Sequence, residues 1–249
     1  MKKYNLAASA IMVIACTLWI TSCQDESIDE FGSISAAKET TLVSAGALDK
    51  SALIGTVKSN KELTKDWWKY VMSIDCEHNP VYNDPASPTA SGQNGPVKFL
   101  AAPKDGFSSS NVIAGRTQLL VVPVVNALGY LSCDEPVFYP TAAQTLEQYL
   151  KTRTSKFIDG TGGIKVALDG KQILISRSNR ITSDLFYFTS NPDLVDCVEP
   201  CVTGRQQAAV SDGYWLFLKG LAKGNHILHI RFDVSPTDPT DITYYIAVP

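Results

Sequence analysis

The chain is 249 residues long and 45% hydrophobic, with 22 Lys and Arg against 25 Asp and Glu. That length suits one sizeable core or two small ones, and the mildly acidic balance, without a basic stripe or basic and aromatic interleaving, excludes a nucleic-acid partner. No fixed-period repeat is visible, which disfavours a propeller or a solenoid.

Residues 1–22 read as a removable leader. Lys2 and Lys3 make a positive start, residues 6–20 form an apolar run, and Ile20-Thr21-Ser22 lead into Cys23. The run is shorter than the roughly 20 residues a membrane-crossing helix needs. The pattern resembles the lipobox of bacterial lipoproteins. That resemblance implies export, cleavage before Cys23, acylation of the Cys23 sulfur, and membrane anchoring by lipid without a spanning segment. An ordinary secretory signal cut elsewhere is the alternative.

Residues 23–50 begin with an acidic cluster, Asp25, Glu26, Asp29 and Glu30, and continue rich in Ser, Thr, Ala and Gly. Such a composition buries too little apolar surface to offset the entropy of ordering, so a flexible tether is expected. In some Gram-negative bacteria an acidic run behind the lipidated cysteine directs lipoproteins to the outer face. Here it resembles that signal, or serves as a solvated spacer, with the outer membrane the expected address in both cases.

Residues 51–249 are expected to form a single domain. Thr64 as N-cap, with Leu63, Trp67, Val71 and Ile74 at helical spacing, predicts a first helix that Asn79-Pro80 would end. Pro123 implies a bulge or an edge in an apolar run over residues 119–125 that reads as a strand buried on both faces. A second helix is predicted over residues 142–157, with Thr141 and Gln144 at capping-box spacing.

The alternation of Ile164, Val166 and Leu168 into Asp169-Gly170, with residues 172–175 beyond, predicts a hairpin. Short aromatic strands are expected at 185–188 and 214–218, the latter entered through a turn at Asp212-Gly213. In residues 226–234, Leu228, Ile230, Phe232 and Val234 share one face; Ile242, Tyr244, Ile246 and Val248 then alternate to the end. Many short strands separated by Gly and Pro turns predict a mainly β fold, an antiparallel β-sandwich of jelly-roll or Ig-like type. Two peripheral α-helices would pack on its edge or ends.

Of the six cysteines, Cys16 leaves with the leader and Cys23 carries lipid, so Cys76, Cys133, Cys197 and Cys201 are expected to form disulfides. The favoured pairing is Cys76 with Cys133 and Cys197 with Cys201. A zinc knuckle at residues 197–201 would need two further ligands, and neither a metal nor a cofactor is expected.

The residues that could carry function are few. Glu77, His78 and Asp84 could make an acid-base or metal cluster, or be ordinary polar groups at a helix end. His226 and His229 would face opposite sides of a strand. Trp67 and Trp68 are about 100° apart on a helix, so one is expected to anchor it while the other lies at a margin, where an exposed ring could stack on a sugar. Packing roles for both are the alternative. Residues 160–163 are glycine-rich but lack the lysine and helix start of a phosphate cradle, and neither a Gly-x-Ser-x-Gly elbow nor a His-Glu-x-x-His motif occurs.

Several motifs keep a fixed order: Trp67-Trp68, Asn79-Pro80, Gly92-Gln93-Asn94-Gly95-Pro96-Val97 with Phe99-Leu100, Pro123-Val124-Val125-Asn126, Asp212-Gly213-Tyr214-Trp215, and Gly224-Asn225-His226. Over residues 64–249 they resemble an uncharacterised family of exported bacterial proteins. The resemblance implies an extracytoplasmic single domain and transfers no site. That family often carries a cysteine before the Gly-Gln element, where this chain has Ala90-Ser91.

The expected function is therefore a surface-exposed, lipid-anchored binding protein, with glycan as the ligand class and Trp67, Trp68, His78, Asn79, Asp84 and Gln93 as candidate ligand-binding residues. A lipid-anchored hydrolase using Glu77, His78 and Asp84 is one alternative. A structural envelope or assembly component, bound to another envelope protein, is the other.

Overall fold

The computed structural model describes residues 58–82, 93–102, 107–133, 137–139, 141–202, 204–235 and 238–249. The leader, Cys23, the tether and Asp84 lie outside the described residues.

The first helix, α1, spans Asn60–Met72 and starts earlier than its sequence pattern predicts. Ser59 is its N-cap, accepting from the Glu62 backbone N–H at 3.2 Å, while Thr64 turns its hydroxyl back onto the Lys61 carbonyl. The helix also stops before Asn79, yet Asn79 still finishes it at a distance. Its buried amide donates to the Val71 carbonyl at 2.8 Å and the Ile74 carbonyl at 3.3 Å, satisfying acceptors that a helix end leaves open.

Three strands follow: β1 (Val97–Phe99), β2 (Phe107–Ile113) and β3 (Leu119–Tyr130). Then come α2 (Leu146–Gly160), β4 (Gly162–Leu168) and β5 (Lys171–Ile173). The capping box of α2 is real but is built from Thr145 and Gln148, one turn beyond the expected pair. The hairpin of β4 and β5 is as predicted, turning on Asp169 at φ 51° and Gly170 at φ 75°, the double left-handed geometry of a type I′ turn. The remaining strands are β6 (Arg180–Thr182), β7 (Phe186–Thr189), β8 (Gln206–Lys219), β9 (Gly224–Ser235) and β10 (Asp238–Val248).

Among the described residues they form two five-stranded sheets. One is ordered β1-β3-β8-β6, with β7 pairing along the same β8; the other is ordered β2-β10-β9-β4-β5. The sheets pack as a sandwich, with Leu120, Val122, Val124 and Leu216 of the first meeting Val166, Leu228, Ile230, Ile242, Tyr244 and Ile246 of the second. The expected β-sandwich with two helices is thus the observed fold.

Two of its pairings depart from the antiparallel expectation: β1 runs parallel to β3, and β2 parallel to β10. Side-chain periodicity reports which face a residue takes and is silent on strand direction.

The first sheet is also covered on its far face. There Leu119, Val121, Ala209 and Trp215 meet Leu63, Trp67, Trp68 and Val71 of α1, with Leu194 and Val202. The sheet is therefore a middle layer, which is why β3 begins as an unbroken apolar run. It also puts α1 on a sheet face rather than at an edge.

Asp212-Gly213 lies inside β8 instead of opening it. The reason is a close approach. Gly213 sits opposite Asn126 beside the β3 bulge at Pro123/Val125, and a Cβ there would come 2.5 Å from the Val125 carbonyl oxygen. Only glycine fits, so the residue pair that elsewhere marks a turn here marks two backbones in contact.

The four cysteines do form two disulfides, but crossed relative to the expected pairing: Cys76 joins Cys197 and Cys133 joins Cys201. The segment from Ser190 docks on the end of α1, with the Asn191 N–H donating to the Met72 carbonyl at 2.7 Å, and this carries Cys197 to Cys76. Register brings the other pair together. Tyr130 at the end of β3 faces Ala209 near the start of β8, so Cys133 just beyond meets the chain arriving from Cys201.

Candidate functional site

The predicted site residues do not form one cluster. Trp67 and Trp68 are both core residues, 2% and 5% exposed. Trp67 donates its indole N–H to the Leu100 carbonyl at 2.6 Å, and Trp68 to the Ser211 hydroxyl at 3.1 Å. Their rings meet edge to face at 4.8 Å, and Trp67 packs in the same way on Trp215. Neither therefore takes the margin position expected for one of them, because both belong to the buried cluster that α1 forms with Val121, Ala209 and Trp215 of the middle sheet and with Leu194 and Val202.

Asn79 is the helix-finishing residue already described, and its side-chain oxygen accepts from the Val81 N–H. Gln93 clamps β1, accepting from the Phe99 N–H at 2.7 Å and donating to the Phe99 carbonyl at 3.1 Å.

His78 is a surface residue, its side chain 66% exposed, paired through Nδ1 with Asp75 at 2.7 Å. The hydrogen bond the imidazole donates to Asp75 raises its pKa, and the same bond lowers that of Asp75. Among the described residues no group of three or more His, Cys, Asp or Glu side chains could hold a metal ion. His226 and His229 have separate partners: His226 lies 2.7 Å from Asp169, whose hydrogen bond raises the imidazole pKa, and His229 lies 2.6 Å from Asp241.

What the structure does bring together is a cavity of about 280 Å³. Its position follows from the sheet order. β1 pairs with β3 only as far as Val121; beyond it no described strand pairs with that edge of β3, and Pro123, Val124, Val125, Asn126 and Ala127 line the cavity in succession. Trp67, Trp68, Val81 and Tyr82 close it from the α1 layer, while Phe232, Val234, Thr240, Ile242 and Tyr244 close it from the other sheet. Phe157 of α2, 44% exposed, stands at its rim. Proline suits this edge, having no N–H to leave unpaired.

The polar groups here are unusual for so apolar a space. Tyr244 is fully buried, and its hydroxyl has no hydrogen-bond partner among the described residues; the Asn126 side-chain nitrogen is likewise buried and without a partner among them. They approach from different layers, Tyr244 from β10 and Asn126 from β3. Desolvation raises the Tyr244 pKa, so the phenol keeps its proton and stays a donor. Burial likewise pushes Tyr82 up to about 12. The described lining holds no carboxylate, imidazole, thiol or amine, so what it offers a ligand is shape, apolar contact and hydrogen bonds.

Alternation in the last strand puts Tyr244 on the same face as Ile242, Ile246 and Val248. The signal was there, since a phenol on a fully buried face needs a partner for its hydroxyl.

No family model matches the sequence, and no curated protein matches it. Among solved structures, the chain is similar to a cysteine protease inhibitor from Entamoeba histolytica, at 9% identity and a TM-score of 0.24, over 61% of this chain and 96% of that one. A likeness of that size carries nothing on function.

Proposed function

We propose that this chain is an exported binding protein, anchored in the outer membrane by lipid on Cys23 and facing the exterior, whose ligand occupies the cavity beside β3. The address rests on the leader and the acidic run behind it. The binding role rests on one observation: residues of β3, of the α1 layer and of the second sheet line an apolar cavity of about 280 Å³. Two disulfides agree with an oxidising compartment outside the cytoplasm.

The test uses the full chain as its Cys23→Ser variant, which needs no detergent to compete for an apolar cavity. Thermal shifts are expected with small, mainly apolar compounds and are expected to vanish in Ala127→Leu, which fills the cavity. Shifts that survive Ala127→Leu place the ligand elsewhere.

A glycan ligand is the second reading, moved from the tryptophans to the outer face of the second sheet. There Tyr245 is 47% exposed, and Asn111 and Ile227 flank it in register. On a glycan array, binding lost in Tyr245→Ala but kept in Ala127→Leu would favour this reading over the cavity.

A further inference from the structure

Resting on the glycan reading, in which the outer face of the second sheet is the binding surface, we infer that the ligand is an acidic glycan whose anionic group sits between Lys165 and Arg231. The sheet register puts these two cations side by side. Lys165 of β4 lies directly opposite Arg231 of β9, and both are exposed. Side chains alternate along a strand, and the inward neighbours Val166, Ile230 and Phe232 belong to the core. Lys165 and Arg231 therefore share the solvent face.

Like charges directly opposite on neighbouring strands destabilise a sheet, and the fold supplies this pair with no counter-charge. Among the described residues neither side chain has an ion-pair partner. Asp241 of β10 stands opposite Arg231 on its other side, but its carboxylate is engaged 2.6 Å from the His229 imidazole. Asp233, the next outward residue of β9, is set against Gly163 at the bulged end of β4. A carboxylate or sulfate seated between Lys165 and Arg231 turns one repulsion into two attractions.

The same face carries a stacking platform. Tyr245 is 47% exposed, with the Asn111 amide and Ile227 beside it in register. Ile227 and Arg231 are four residues apart on β9, about 13 Å along the strand, so a ligand engaging both ends is longer than one sugar ring. His229 and Thr243, paired across β9 and β10, lie between them and offer polar contacts along the way. An anionic membrane surface fits this face less well, since electrostatic docking to lipid draws on clusters of about four to eight cations.

The test is an array probed with the full chain as its Cys23→Ser variant, on which each acidic oligosaccharide is matched with a neutral counterpart: oligogalacturonate with its methyl ester, sulfated with desulfated galactan, and sialyllactose with lactose. At least one acidic member is expected to bind about tenfold more tightly than its counterpart, with an advantage that shrinks as salt is raised. Lys165→Gln and Arg231→Gln should each weaken the acidic member about fivefold, the upper range of one exposed ion pair, and leave the neutral member unchanged. Tyr245→Ala should weaken both. Lys156→Gln, which removes the same charge from α2, should change neither. Because the cation pair is repulsive, Lys165→Gln should not lower the urea midpoint, which separates lost binding from lost folding.

Equal binding of acidic and neutral members, lost in Tyr245→Ala, would overturn the acidic class and leave the sheet face standing as a glycan site. Acidic binding indifferent to both Lys165→Gln and Arg231→Gln would overturn the cation pair as its seat. Binding to phosphatidylglycerol vesicles through the same two residues, with no glycan bound, would make the face a membrane contact and overturn the proposal. Silence across the array and the vesicles would remove the acidic class and the glycan reading together.

Discussion

Replacing Cys76 and Cys197 together by serine is expected to lower the unfolding free energy by about 3–5 kcal/mol, read as a fall in the urea midpoint. The magnitude follows from the closed loop. The crosslink spans a sequence separation of 121, and the chain-entropy relation gives about 5 kcal/mol for a loop of that size and about 4 kcal/mol for the 68-residue separation of Cys133 and Cys201. Because the two loops interleave, losing both should cost less than the sum. Against a total stability of about 5–15 kcal/mol, either loss is a large share.

The contrast with the expected pairing makes the case falsifiable. A bond between Cys197 and Cys201 would close a very short loop, worth only about 2 kcal/mol by the same relation. It would also leave the segment from Ser190 without its covalent tie to α1. Peptide mapping without reduction should yield Cys76 linked to Cys197 and Cys133 linked to Cys201. Recovery of a Cys197–Cys201 peptide, or a double-serine variant as stable as the parent, would refute the architecture. Both cysteines must be replaced at once, since a single free thiol beside the second disulfide invites exchange.

Where sequence periodicity was strong, it was reliable. Leu228, Ile230 and Phe232, and later Ile242, Tyr244 and Ile246, alternate because one face of each strand is core, and that is where they lie. Asp169-Gly170 gave its hairpin because few residue pairs accept two left-handed positions in a row.

The failures are of two kinds. Helix starts were misplaced because Ser59 and Thr64, like Thr141 and Thr145, offer the same capping chemistry one turn apart, and only tertiary packing chooses between them. Long-range partnerships were not legible at all. Nothing local distinguishes the crossed disulfides, the parallel neighbours of β3 and β10, or the point along β3 where its pairing with β1 stops. The cavity depends on that last feature, so only its lining residues, not the space itself, could be read from the chain. Asn126 and Tyr244 are far apart in sequence, one in a motif and one in a strand.

Asp212 shows the same limit in energetic form, and Asp212→Ala is expected to cost about 3 kcal/mol or more. In sequence Asp212 looked like half of a turn. In the fold its carboxylate is wholly buried within β8 and receives Arg180 in a forked pair, Nε at 3.1 Å and Nη2 at 2.7 Å, with the Thr182 hydroxyl at 2.9 Å. These bonds raise the Arg180 pKa further, so the guanidinium is always charged. Removing one partner of a buried pair strands the other, which typically costs about 3–5 kcal/mol. The low end applies here because Arg180 also bonds Asp159 on α2, and that carboxylate is exposed.

Asp159→Ala should accordingly cost at most about 1 kcal/mol, the range of surface pairs. Arg180→Met combined with Asp212→Ala should cost less than the two single changes added, with a coupling of about 1–3 kcal/mol in a double-mutant cycle. Urea unfolding of the parent and these four variants would decide this, and an Asp212→Ala variant no less stable than Asp159→Ala would sink it. Asp212 pairs in register with Ala127, a wall of the cavity. The ion pair joining β6, β8 and α2 thus also fixes one side of the proposed ligand site. A folded Asp212→Asn variant should therefore bind ligand more weakly although Asp212 is not among the residues lining the cavity.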